Sequence, residues 1–127
     1  MTIQTLDHVN LRTIRLDEMV AWYETILGLT KGARPDFTFD GAWMYAGDNP
    51  IVHLVDVKTE QRSIEPKIEH FALGAKGFAK FVALLNRHGV SHTVDPVPGF
   101  PIVQINLHDP DGNHIHVDFS TEDAGQA

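Results

Sequence analysis

Cysteine is absent from this 127-residue chain, which removes disulfides, thiolate ligands and a cysteine nucleophile from consideration. No run approaches the roughly 18 consecutive apolar residues of a membrane span. The opening MTIQTLDHVN has neither the basic stretch nor the apolar core of a signal peptide. A cytoplasmic protein with no membrane partner is therefore expected. Positive charge is also scarce: ten Lys and Arg face seventeen Asp and Glu, the formal net charge is −7, and the basic residues are scattered. Nucleic acid is accordingly not an expected partner. Hydrophobic residues at 43% and charged residues at 21% are globular proportions that exclude fibrous and disordered chains. The length suits one domain with a real core rather than two ordinary domains.

Histidine is what the chain has in quantity, eight in all, and four of them repeat. His8 in LDHVNLRT matches His70 in IEHFALGA, 62 residues on, and His53 in NPIVHLVD matches His116 in DGNHIHVDF, 63 residues on. Imidazole is the commonest protein ligand for metals of the zinc, iron, nickel and copper kind. A lone strand histidine is more often a solvated residue, but matched pairs in two copies of a module point to a metal site.

The repeat extends beyond these residues. Each half opens with an alternating strand, Thr5 to Arg12 and Lys67 to Gly74, in which Val9, Leu11, Phe71 and Leu73 form the apolar parity. An amphipathic helix follows, with Leu16, Met19, Val20, Tyr23 and Leu27 in the first half, and Phe78, Phe81, Val82 and Leu85 in the second. Asp17 is the expected N-cap of the first helix, and Gly28 and Gly89 are the stops. Three further strands are expected per half: Thr30 to Phe39, Ala42 to Ala46 and Ile51 to Val57, then Val90 to Asp95, Ile102 to Leu107 and His114 to Phe119. Each half thus reads β-α-β-β-β. Module one covers about 1–57, a polar linker about 58–66, and module two about 67–120. The tail after Ser120 is expected to fray.

Strand parity sorts the candidates. In the last strand Ile115, Val117 and Phe119 form one face, and His114, His116 and Asp118 the other. The same reasoning groups His8 with Asn10 and Arg12, sets His53 between Ile51 and Val55, and puts His70 beside Ala72. His88 suits a helix C-terminus, His92 a polar strand start, and His108 is expected to cap the HDPDGN turn.

At these motifs the chain resembles the vicinal oxygen chelate superfamily, which includes glyoxalase I, type I extradiol dioxygenases, fosfomycin resistance thiol transferases and bleomycin resistance proteins. The resemblance runs from LDHVNLRT through WYETILGL, AWMYAGDNPIVHLV and IEHFAL to DPDGNHIHVDF. It implies an α+β fold of two βαβββ modules whose curled, partly open mixed sheet surrounds one divalent metal ion, with ligands at His8, His53, His70 and His116. It also implies a homodimer, since several members complete the site from two chains. Where most metal-dependent members carry a glutamate in the last strand, this chain has His116. Glyoxalase proton transfer and the two-histidine, one-carboxylate triad of the dioxygenases thereby lose the carboxylate they use, and so does the thiol-transferase reading.

Neutral imidazoles leave a metal's charge uncompensated, which favours anionic ligands such as an enolate or carboxylate. Four of them could also close a tetrahedral zinc site, making it structural. The expected activity is that of a metal-dependent lyase, isomerase or dioxygenase, using zinc, iron, nickel or manganese on a small oxygen-chelating substrate. Asp118 and His114 are the candidate bases, with Asp118 expected nearer solvent at the strand end. Asn10 and Arg12 are candidates to hold substrate. Phe37, Phe39, Trp43, Tyr45 and Phe100 would wall it, with about three of the five expected in the core. The alternative is a non-catalytic drug-binding protein of the bleomycin resistance type, whose members are acidic, as this chain is.

Overall fold

The computed structural model describes residues 1–125 and divides into two units, Met1–Ser63 and Ile64–Ala127. The first unit contains β1 (Val9–Thr13), α1 (Leu16–Thr25), β2 (Thr30–Gly32), β3 (Gly41–Ala46) and β4 (Asn49–Asp56). The second contains β5 (Phe71–Gly74), α2 (Phe78–Arg87), β6 (Thr93–Pro96), β7 (Ile102–His108) and β8 (His114–Ser120). Each unit is β-α-β-β-β, and the chain is α+β. The strands form two open four-stranded mixed sheets, ordered β1-β4-β3-β2 and β5-β8-β7-β6, as the expected pair of βαβββ modules with partly open sheet.

Chain geometry explains that order. Tight turns join β3 to β4 and β7 to β8 as antiparallel neighbours, whereas the helix after the first strand lets that strand lie parallel to the last one. Gly28 and Gly89, at φ 68 and 65, end the helices in the left-handed conformation glycine tolerates best. Helix α1 buries Met19 and Tyr23 in the same unit whose sheet buries Ala42, Met44, Val52 and Leu54. In the second unit Leu85 is buried along with Val103, Ile105, Leu107, Ile115, Val117 and Phe119. Phe78 meets Phe119 edge-on, 5.5 Å between centroids. The parity read from the last strand therefore holds. Each of these larger side chains contributes on the order of 1.5–3 kcal/mol by leaving water.

Local differences from the sequence reading have physical causes. The ladders begin at Val9, opposite Val52, and at Phe71, opposite Ile115, so His8 and His70 stand one residue ahead of their strands rather than inside them. The apolar residues upstream, Ile3, Leu6, Ile64 and Ile68, are exposed. Strand β2 stops at Gly32, because Arg34 folds the following segment into a loop by donating to the Phe39 carbonyl at 2.8 Å. Asp17 is not the N-cap of α1. That position is Arg15, and the Thr13 hydroxyl accepts the Arg15 N–H at 2.9 Å, while Asp17 and Glu18 in the first turn complement the helix dipole.

The described part of the tail, expected to fray, is instead tied to the fold by hydrogen bonds. The Asp123 carboxylate accepts the backbone N–H groups of Gly77 and Phe78 at 2.8 and 3.3 Å, capping α2, whose own first turn lacks an acid. Gln126 and Ala127 lie outside the described residues. Asp123→Ala is expected to destabilise the protein by about 1 kcal/mol, the usual worth of an N-cap. Urea unfolding of the two proteins checks this, and equal midpoints would show that the contact adds nothing.

Candidate metal centre

In the first unit, register aligns Asn10, His53 and Trp43 across β1, β4 and β3. The His53 ring is sandwiched: His8 stacks on it at 3.7 Å and Trp43 at 4.0 Å. Each imidazole has one nitrogen committed. His8 Nδ1 hydrogen-bonds Asp7 at 2.7 Å, and His53 Nε2 donates to the Pro50 carbonyl at 3.0 Å. A carbonyl only accepts, so a neutral His53 keeps its lone pair on Nδ1. Burial, followed by the neighbouring His8, lowers the His53 pKa and favours that neutral, ligating form.

The second unit repeats the arrangement. His70 stacks on His116 at 3.8 Å with 8° between ring planes. His70 Nδ1 hydrogen-bonds Glu69 at 2.6 Å, the counterpart of the Asp7 contact. His116 is 9% exposed, and its Nδ1 is buried without a hydrogen-bond partner. Burial, then His70 and His114, lowers its pKa. An uncharged imidazole with a buried, unpartnered nitrogen is a donor atom waiting for an acceptor of its lone pair.

His114 adds a third ring to this unit. His70, His114 and His116 each present a ligand atom within 4.8 Å of the others, so proximity alone would make all three ligands. Hydrogen bonding argues otherwise for His114. Its Nδ1 faces Glu69 Oε2 at 2.5 Å and its Nε2 faces Asn106 Oδ1 at 3.0 Å. The Asn106 amide is oriented by donating through Nδ2 to Asp95 at 2.8 Å. Both partners of His114 are acceptors, so ligation would cost one of these bonds. Glu69, hydrogen-bonded by His70 and then by His114, has its pKa held down at about 2. The donor set fits a divalent transition metal: His70 and His116 offer ring nitrogens in this unit, as His8 and His53 do in theirs.

The other expected residues are spread more widely. Asp118 shares the His116 face, and its Oδ1 is buried without a partner; it does not lie out in solvent at the strand end. Arg12 is exposed and donates to Gln61 at 3.4 Å, and Asn10 is exposed. None of the five aromatics is core. Phe37, Phe39 and Phe100 are 43%, 44% and 66% exposed in segments between strands, and Trp43 and Tyr45 are half-buried at the parity opposite Ala42 and Met44. Phe37 and Phe39 stack at 4.9 Å under the Arg34 guanidinium. Tyr45 donates its hydroxyl to the Ala33 carbonyl. Phe100 lies in a turn after β6, with its N–H on the Val97 carbonyl.

His108 does not cap its turn. The buried Asp109 does so by accepting from Asp111 and Asn113, while the His108 ring stacks on His114 at 5.0 Å. His88 is the C-cap of α2, and His92 contacts the Val90 carbonyl. Sequence reasoning missed Asp7, Glu69 and Asn106. The first two had a signal, an acid directly before the repeated histidine in both LDH and IEH. A polar depression of about 560 Å3, lined by Arg15, Asp17, Glu18, Lys31, Asp40 and Asp56 among others, lies toward the far ends of β1 and β4 and contains no histidine.

Comparison with known proteins identifies the fold. Glyoxylase I 4 of Arabidopsis thaliana is 26% identical, with 91% of this chain and 70% of that protein covered. A glyoxylase/bleomycin resistance protein/dioxygenase domain from Frankia superposes with a TM-score of 0.76 at 17% identity, covering 94% of this chain and 93% of that one. Lactoylglutathione lyase from Agrobacterium tumefaciens superposes with a TM-score of 0.71 at 15% identity, covering 94% and 96%. The family model of the Glyoxalase/Bleomycin resistance protein/Dioxygenase superfamily matches residues 5–117, and the chain belongs to that superfamily.

Proposed function

We propose that the chain is a divalent-metal-dependent enzyme acting on a small substrate with neighbouring oxygens, its two units serving as the paired modules of one superfamily domain. The observation that carries this reading is the recurrence of a stacked imidazole pair, His8 on His53 and His70 on His116. His8, His53, His70 and His116 are the metal ligands of this reading, in a cytoplasmic homodimer. Zinc, iron, nickel and manganese are all compatible with imidazole donors. When bound, the ion supplies Lewis acidity that stabilises an enolate or oxyanion.

The protein's own groups supply the rest. Asp118, with an uncommitted carboxylate oxygen, takes the substrate proton as base. His114, facing two acceptors, is a hydrogen-bond donor rather than a second base. Asn10 and Arg12 bind substrate oxygens, and Trp43, Tyr45, Phe37, Phe39 and Phe100 form apolar walls. The names of the Arabidopsis and Agrobacterium relatives favour isomerase or lyase chemistry over oxygen insertion. A second reading, a binding protein for a cationic drug, is favoured by the net charge of −7 and the exposed Phe37 and Phe39.

Elemental analysis of untagged protein separates the two. The enzyme reading expects about one equivalent of divalent metal per chain, since a formed set of neutral imidazoles binds such ions tightly at neutral pH. Protein that stays metal-free after reconstitution overturns it and leaves the drug-binding reading. Oxygen uptake with ferrous iron would move the chemistry to a dioxygenase.

A further inference from the structure

The acid before the repeated histidine recurs with the histidine itself. Asp7 hydrogen-bonds His8 Nδ1 at 2.7 Å, and Glu69 hydrogen-bonds His70 Nδ1 at 2.6 Å. A carboxylate accepts only, so each ring carries its proton on Nδ1 and leaves the lone pair on Nε2. The halves differ in one methylene. Glu69 uses its second oxygen to accept from His114 Nδ1 as well, and Asn106 takes the other side of that ring at 3.0 Å.

We propose that Glu69 is a positioning residue with two tasks: it fixes Nε2 of His70 as the ligating nitrogen, and it holds His114 outside the ligand set. The proposal rests on the metal reading above for its consequence, but not for its geometry. Outer carboxylates that orient a metal-binding imidazole are worth roughly 10–100-fold in affinity. Asp7 shows within the same chain that a shorter acid suffices for the first task, since it orients His8 with one oxygen.

The repeat therefore sets the test. Glu69→Ala removes both acceptor oxygens, so nothing then holds the His70 proton on Nδ1. In Glu69→Asp the shorter side chain keeps the His70 contact and loses His114. Nitrogen-15 histidine spectra of the metal-free full chain read the tautomers directly, and cobalt(II) titration reads affinity. The expected result is a Nδ1–H His70 in wild type, a mixed or reversed tautomer with roughly 10–100-fold weaker cobalt binding in Glu69→Ala, and recovery of both in Glu69→Asp. In wild type, cobalt should shift His70 and His116 but leave His114 unligated.

An unchanged His70 tautomer in Glu69→Ala overturns the first task, and direct cobalt ligation by His114 in wild type overturns the second. Wild type that binds no cobalt, yet shows the expected tautomer changes, overturns the metal reading and supports the positioning role. Glu69 is largely exposed, so both variants should fold, and circular dichroism checks that they do.

Discussion

His116→Ala is expected to lose metal more completely than any substitution at a neighbouring histidine of the second unit, with affinity falling by more than the roughly 100-fold typical of an outer partner. The ring is 9% exposed, and its buried Nδ1 meets no other donor or acceptor. Its pKa is lowered first by burial, so near neutral pH it is an uncharged ligand that need not release a proton. His114→Ala removes a ring whose two nitrogens already face Glu69 and Asn106, and its metal content should stay near that of wild type. His53→Ala should behave like His116→Ala, because His53 occupies the equivalent stacked position in the first unit. Elemental analysis of the three variants at equal protein concentration decides the matter. Metal lost from His114→Ala but kept in His53→Ala would replace the paired-histidine assignment with a His70, His114 and His116 triad.

Asp118→Asn should retain metal and fold while lowering kcat by about 10²–10⁴-fold, the usual contribution of a positioned general base. A buried carboxylate oxygen without a hydrogen bond is costly, and such a group persists where activity uses it. Two observations place Asp118 well for this role: it follows His116 by two strand residues, and it shares the His116 face. The substitution keeps the shape of the side chain and removes its charge. Thermal stability should therefore not fall, and the combination of intact stability, intact metal content and lost turnover separates a base from a structural residue. Turnover close to wild type would remove Asp118 from the mechanism.

Much of this was legible in the chain itself. Alternation in HIHVDF assigned Ile115, Val117 and Phe119 to the core and His116 to the opposite face, because a strand has a period of two and a sheet packed on one side must obey it. The spacing of the two histidine pairs marked equivalent positions in two modules, since a repeated sequence repeats its local geometry. Gly28 and Gly89 closed the helices where left-handed backbone was needed.

Other features were decided only by contacts between residues distant in sequence. That Asp123 caps α2, 45 and 46 positions away in the chain, depends on where the last strand delivers the tail. The state of His114 depends on Glu69, 45 residues before it, and on Asn106 across the β7–β8 ladder. Phe37 and Phe39 stayed out of the core because β2 ends at Gly32 and leaves them in the loop before β3, where Arg34 holds the segment. Periodicity and spacing fix which face a side chain occupies because they act along the backbone. Which nitrogen is free, which carboxylate is orphaned and which ring is stacked are set across strands, where only the folded chain brings the partners together.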